Sequence, residues 1–239
     1  MLDSDFGGRE SDTVTAAASL VKPLKHGGTV TRTTDSHRLF IALVPPQDAL
    51  DALAGLIEEL ARALPRGAMR ITPPENLHLT LHFLGDVRTD RVGNAAQAID
   101  AACVGCAAFA VETAALGCFP SHERPRIAWI GLRDPLAVIE LQRALGHELR
   151  ERDFELERRS FSAHWTLARA ERRATPRQLG RAGDIVAAFD RRAHPDVGFR
   201  VDRVTLVESE LRRGGPLYRP LHVSRLAGER ANDPPRTRG

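Results

Sequence analysis

The feature that most constrains this chain is a repeat. His-x-Thr-Leu occurs at residues 78–81 ("HLTL") and again at 164–167 ("HWTL"), 86 positions later, each time inside a short apolar run. The surroundings repeat as well. Arg38 opens "RLFIALV" 40 residues before His78, and Arg126 opens "RIAWIGL" 38 residues before His164. Each half reads strand, helix, motif strand, helix, strand. Such a duplication predicts two similar lobes packed about a pseudo-two-fold axis, with equivalent strands facing each other. One shared cleft follows, with His78 on one wall and His164 on the other.

Local signals support this order. "RLFIALV" (38–44) closes at Pro45 and Pro46 and reads as a buried strand. Residues 47–64 carry apolar positions at helical spacing and stop at Pro65. "LHLTLHFL" is a strand behind the Pro73-Pro74 turn, 88–102 a helix, and 109–119 a strand running to Pro120. The second half gives a strand at 126–132, a helix at 134–152, the strand "FSAHWTLARA", a helix at 175–189, and the strands "FRVDRVTLVES" and "YRPLHVSRL". Residues 1–36 and 227–239 are polar and aperiodic. They are expected to be flexible tails around one domain at 37–226.

The motif itself carries chemistry. Residues i and i+2 of a strand share a face, so His78 and Thr80 point one way while Leu77, Leu79 and Leu81 anchor the other. His164 and Thr166 do the same, backed by Trp165 and Leu167. Imidazole titrates near neutrality, so one copy can serve as general base while the other is the acid. The two hydroxyls can hydrogen-bond a phosphoryl oxygen held between the imidazoles. Arg169, five residues past His164, can add a charge-assisted contact.

Other groupings are weaker. His78 and His82 stand four apart, but the run alternates as a strand and lacks a Cys or carboxylate to complete a zinc site. His82 is expected at the surface or the cleft rim, and His37, His122, His147, His194 and His222 are expected to be structural or solvated. Cys103-x-x-Cys106 has no second pair and lies in apolar "AACVGCAAF", which favours small buried thiols over a metal or redox site. The net charge of +3 permits an anionic ligand, and 32 of the 34 basic residues are Arg, whose planar fork suits phosphate. No apolar run approaches the roughly 18 residues of a membrane span. The acidic, polar start is not that of a signal peptide, so a cytoplasmic protein is expected.

Five separated segments resemble one family in its own order: "RLFIALVPP", "PPENLHLTLHFLG", "LGCFPSHERPRIAWIGL", "FSAHWTLAR" and "VTLVESELRRGGPLYRPL". Over residues 37–226 the chain is similar to the 2'-5' RNA ligase family, whose members are RNA 2',3'-cyclic phosphodiesterases among the two-histidine phosphoesterases. The resemblance implies a bilobal α+β fold, two antiparallel sheets around a central cleft. It implies His78 as proton donor, His164 as proton acceptor, and Thr80, Thr166 and Arg169 as phosphate-binding residues. The reaction implied is hydrolysis of a 2',3'-cyclic phosphate RNA end to a 2'-phosphate, without metal or nucleotide cofactor, with 2'-5' joining as its reverse. RNA ends or cyclic nucleotides are the implied partners. No membrane or obligate protein partner is implied, and a monomer is expected.

Three positions depart from the family's pattern. Ala163 stands where Pro is usual, Trp165 where a small aliphatic is common, and Ile71 where Trp is frequent. Phe40 and Tyr218 are candidates for stacking on a base. Two rival readings remain open from the motifs: a related enzyme acting on 2'-5' oligonucleotides or a small cyclic phosphate, and a non-catalytic binder of RNA ends.

Overall fold

Ten strands and four helices make up the described part of the computed structural model, residues 36–192, 196–212 and 215–229. The predicted tails, apart from Ser36 and residues 227–229, lie outside these residues, as does His194. In chain order the elements are β1 (Ser36–Leu43), α1 (Gln47–Ala63), β2 (Met69–Ile71), β3 (Leu79–Arg88), α2 (Val92–Val104), β4 (Ala107–Phe119) and β5 (Ile127–Leu132). Then follow α3 (Leu136–Arg150), β6 (His164–Ala170), α4 (Pro176–Asp190), β7 (Gly198–Val201), β8 (Arg203–Arg212), β9 (Gly215–Arg225) and β10 (Ala227–Glu229).

The helices form where periodicity places them. In α1 the buried residues are Ala49, Leu50, Leu53, Ile57 and Leu60, one stripe at helical spacing, and the helix ends before Pro65. In α3 the stripe is Val138, Leu141, Leu145 and Leu149. Each such leucine contributes about 1.5–3 kcal/mol by leaving water. Thr175 and Gln178 close a reciprocal capping box at the start of α4, which satisfies two backbone N–H groups.

The sheets do not coincide with the two halves of the sequence. One sheet runs β3-β1-β8-β9 and the other β10-β4-β5-β6-β2, with β7 also on β4. The final strand of each half therefore crosses into the other half's sheet: β8 lies against β1, and β4 against β5. Motif strand, opening strand and crossed strand then recur in the same order, β3-β1-β8 and β6-β5-β4. The pseudo-symmetry expected from the repeat holds, but the lobes are interlocked. All these pairings are antiparallel, while the short β10 runs parallel to β4. Residues 227–229, expected in the tail, are thus tied to the sheet.

Helices cover one face of each sheet. α2 and α3 pack together, α2 against β8 and β9 and α3 against β3, while α1 and α4 pack together with α4 against β4. The motif strands β3 and β6 approach one another, so the uncovered faces of the two sheets form the cleft.

Candidate active site

Each motif strand carries a β-bulge just after its threonine. In β3, Ala42 pairs with Thr80 and Ile41 with His82, which leaves Leu81 unpaired. In β6, Trp129 pairs with Thr166 and Ala128 with Ala168, which leaves Leu167 unpaired. An extra residue reverses the alternation of every side chain beyond it. In β6 the effect is to put Arg169 on the cleft face with His164 and Thr166, although simple alternation would send it to the core. In β3 the corresponding residue is Phe83, five positions past His78.

The same bulge corrects the expectation for His82. It does not sit at the surface or rim. It is 8 % exposed on the core face, where its Nε2–H donates to the carbonyl of Gln142 in α3 at 2.8 Å. Burial holds it below its ordinary pKa, a trend that the Gln142 carbonyl opposes and the nearby Arg150 charge reinforces.

The two motif histidines share one geometry. His78 Nδ1 lies 2.7 Å from the carbonyl oxygen of Asn76, and His164 Nδ1 lies 2.7 Å from that of Ser162. A carbonyl only accepts, so Nδ1 carries the hydrogen in both rings. In the neutral form each Nε2 therefore keeps its lone pair. Two carbonyls, each two residues upstream, fix both tautomers and both ring orientations.

Aromatic rings complete the two walls. Phe40 lies 4.7 Å from the His78 ring centroid, and Tyr218 meets His78 edge-on at 5.0 Å. Phe119 meets His164 edge-on at 5.0 Å, with Trp129 at 6.3 Å. Trp129 can lie across β4 because residue 117 is glycine: a Cβ there would fall 2.3 Å from its ring. Phe40 is only 2 % exposed and backs His78, whereas Tyr218 is half-buried and keeps more of its ring surface open.

Charge in the cleft is one-sided. Burial is the main cause that lowers the pKa of both histidines, to about 4 for His78, and the Arg169 charge lowers both further. His164 also acts on His78, so all three groups lie within electrostatic reach of one another. Thr80 is half-buried and Thr166 is 9 % exposed, each beside its histidine. Burial also raises the Tyr218 hydroxyl pKa, against the charges of Arg169 and Arg70.

The structure thus brings together His78, Thr80, His164, Thr166, Arg169, Phe40 and Tyr218. Sequence reasoning passed over Trp129, Phe119, Phe83 and Arg70. The position of Trp129 two residues beyond Ile127, on the repeat-equivalent of β1, was the available signal. Of the departures, Trp165 is fully buried against Phe199, with centroids 5.5 Å apart. Ile71 packs against the core, so it is not a cleft residue. Ala163 lines an apolar cavity of about 330 Å³ next to His164, with Trp129, Ile139 and Phe161. His37 bonds Glu208 and His222 bonds Asp100, both at 2.7 Å. Cys103 and Cys106 form no disulfide, Cys103 is buried and Cys106 half-buried, and burial lifts the Cys103 thiol to about 11.

Comparison with known proteins agrees with this architecture. The profile described as LigT-like phosphoesterase matches twice in succession, at residues 43–129 and 130–218, in step with the internal repeat. An RNA 2',3'-cyclic phosphodiesterase of Methanothermobacter thermautotrophicus is 28 % identical over 190 residues, 79 % of this chain and 98 % of the relative. Crystal structures of a Thermus thermophilus protein and of Escherichia coli LigT complexed with 3'-AMP superpose with TM-scores of 0.63 and 0.62. They are 25 % and 26 % identical, covering 81 % and 80 % of this chain and 100 % and 98 % of those chains.

Proposed function

The chain belongs to the LigT-like phosphoesterase family and is a phosphodiesterase, and we propose that it opens 2',3'-cyclic phosphates at RNA ends by paired-histidine acid–base catalysis. The observation that carries this reading is the matched pair of imidazoles. Both are locked by Nδ1–H bonds to backbone carbonyls, both keep Nε2 for a ligand, and both lie within reach of Arg169.

In the proposed reaction His164 Nε2 takes a proton from water as its oxygen attacks phosphorus. The bond from phosphorus to the ribose 3'-oxygen breaks, and protonated His78 delivers its Nε2 proton to that oxygen. The product is a 2'-phosphate with a free 3'-hydroxyl. Thr80 and Thr166 hydroxyls donate to the non-bridging oxygens, and Arg169 offsets the charge that builds on them. Tyr218 offers a ring surface to the terminal base. These residues supply both proton transfers and the anion contacts directly. Several relatives at 26–32 % identity carry the name RNA 2',3'-cyclic phosphodiesterase, which supports the substrate.

No helix among the described residues is long and apolar enough to cross a membrane. Cys103, Cys106 and Cys118 form no disulfide, which fits the reducing cytoplasm we propose as the compartment.

The test is hydrolysis of an oligoribonucleotide ending in a 2',3'-cyclic phosphate, in excess EDTA. Wild type should release a 2'-phosphate end, and His78→Ala or His164→Ala should each lower kcat/KM by about 10²–10⁴-fold. Folded wild type that yields no product would overturn the reading.

A further inference from the structure

On β2, a strand of three residues between α1 and the first motif, Arg70 pairs directly with Arg169 of β6. Residues directly opposite in an antiparallel pair point to the same face, with Cβ atoms about 4.5–5.5 Å apart. Arg70 therefore shares the cleft face with Arg169, one strand further from His164. Its guanidinium reaches across to the opposite sheet, where Nη1 lies 3.6 Å from the place a Cβ would occupy on Gly215. Gly215 opens β9, the strand that carries Tyr218, and the charges of Arg70 and Arg169 both act on Tyr218. Among the described residues no carboxylate is paired with either guanidinium, although other arginines of the chain find partners, such as Arg152 with Glu148 at 2.6 Å and Arg62 with Glu58 at 2.8 Å. Two guanidinium groups held side by side repel each other unless anions lie between or beside them.

We propose that Arg70 binds the phosphodiester immediately upstream of the cyclic phosphate, so that the cleft grips two consecutive phosphates and prefers an RNA end over a cyclic mononucleotide. The inference rests on the reading of His78, His164 and Arg169 as the cyclic-phosphate site. Arg169 takes the reacting phosphate, and its cross-strand neighbour takes the next one along the chain. The strand then leaves past β2 and the start of β9, with the terminal ribose beside Tyr218. A cyclic mononucleotide has no second phosphodiester and leaves Arg70 unused. Arg70 is thus a specificity residue that touches substrate away from the reacting atoms.

The experiment compares kcat/KM for a dinucleotide ending in a 2',3'-cyclic phosphate with that for the matching 2',3'-cyclic mononucleotide, in wild type, Arg70→Ala and Arg70→Lys. A charge-assisted phosphate contact predicts that the dinucleotide-to-mononucleotide ratio falls about tenfold or more in Arg70→Ala. Lysine should restore part of it, because the charge remains while the fork is lost. The wild-type preference should also shrink as salt rises, and Arg70→Ala should flatten that dependence. A ratio unchanged by Arg70→Ala would overturn the proposal, even if both efficiencies fall together.

Affinity for the 2'-phosphate-ended dinucleotide and for the nucleoside 2'-monophosphate, measured by calorimetry, tests Arg70 independently of turnover. Wild type that hydrolyses neither substrate sinks the catalytic reading. The same loss of dinucleotide preference in binding would still sustain the role of Arg70, and its absence would end it.

Discussion

Substrate charge should restore the proton that burial withholds from His78. In the free protein burial is the largest cause that lowers its pKa, helped by the charges of Arg169 and His164 and opposed by the Asn76 carbonyl, and the result is about 4 against an ordinary 6.5. That difference corresponds to roughly 3 kcal/mol against the imidazolium. At pH 7 the free ring is neutral, the wrong form for a proton donor. A phosphoryl anion beside Arg169 reverses the local field. One unit charge about 4 Å from the ring, at an effective permittivity of about 20, favours the imidazolium by about 4 kcal/mol. The two magnitudes nearly cancel, so ligand binding should return the His78 pKa to near its ordinary value. The assay is an NMR titration of the histidine ring signals with and without saturating nucleoside 2'-monophosphate, assigned with His78→Asn. The free ring should titrate near 4, and the bound ring about 2 or more pH units higher. A free value near 6.5 would refute the burial argument. A bound value still close to 4, with ligand demonstrably in place, would refute the idea that substrate charge arms the donor.

Other outcomes follow from the same geometry. Arg169→Ala should lower kcat/KM by about 10–100-fold, the worth of a charged hydrogen bond to phosphate, with partial recovery in Arg169→Lys; unchanged kinetics would remove Arg169 from the site. His82 is held below its ordinary 6.5 in the fold, so the unfolded chain protonates first. Its stabilising contribution is present above about pH 6.5 and is lost as pH falls towards the lowered folded value. His82→Gln, which can still donate to the Gln142 carbonyl, should therefore flatten the acid side of a urea-midpoint-against-pH curve, and parallel curves would count against this. Gly117→Ala should cost about 1–3 kcal/mol by driving a methyl into Trp129 and should shift tryptophan fluorescence. Gly55→Ala, in α1 with nothing within 4 Å, should instead stabilise by about 0.5–1 kcal/mol.

The two His-x-Thr motifs, the helical stripes and the turn residues are local matters, and residue order by itself determined them. Proline placement and apolar spacing were enough to mark α1, α3, α4 and the motif strands to within a few residues. The repeat was enough to predict two facing walls. Those features depend on covalent identity and on the periods of helix and strand, which a linear pattern records. β2 was missed because three residues ahead of a double proline carry no period, and it forms only when β6 offers its edge.

What tertiary structure decided is set by pairing between distant segments. Register decided that Leu81 and Leu167 are unpaired, and with that the faces of His82, Phe83 and Arg169. Strict alternation along the chain predicts the opposite face for each of them. Crossing of β4 and β8 into the other half's sheet brought Phe119 beside His164 and, through β9, Tyr218 beside His78. The partnership of Arg70 with Arg169 spans 99 positions and exists only through the β2–β6 ladder. A sequence states which side chains are present and how they alternate locally. Which of them meet in the cleft depends on long-range hydrogen-bond register, and one extra residue in a strand turns a core position into a site position.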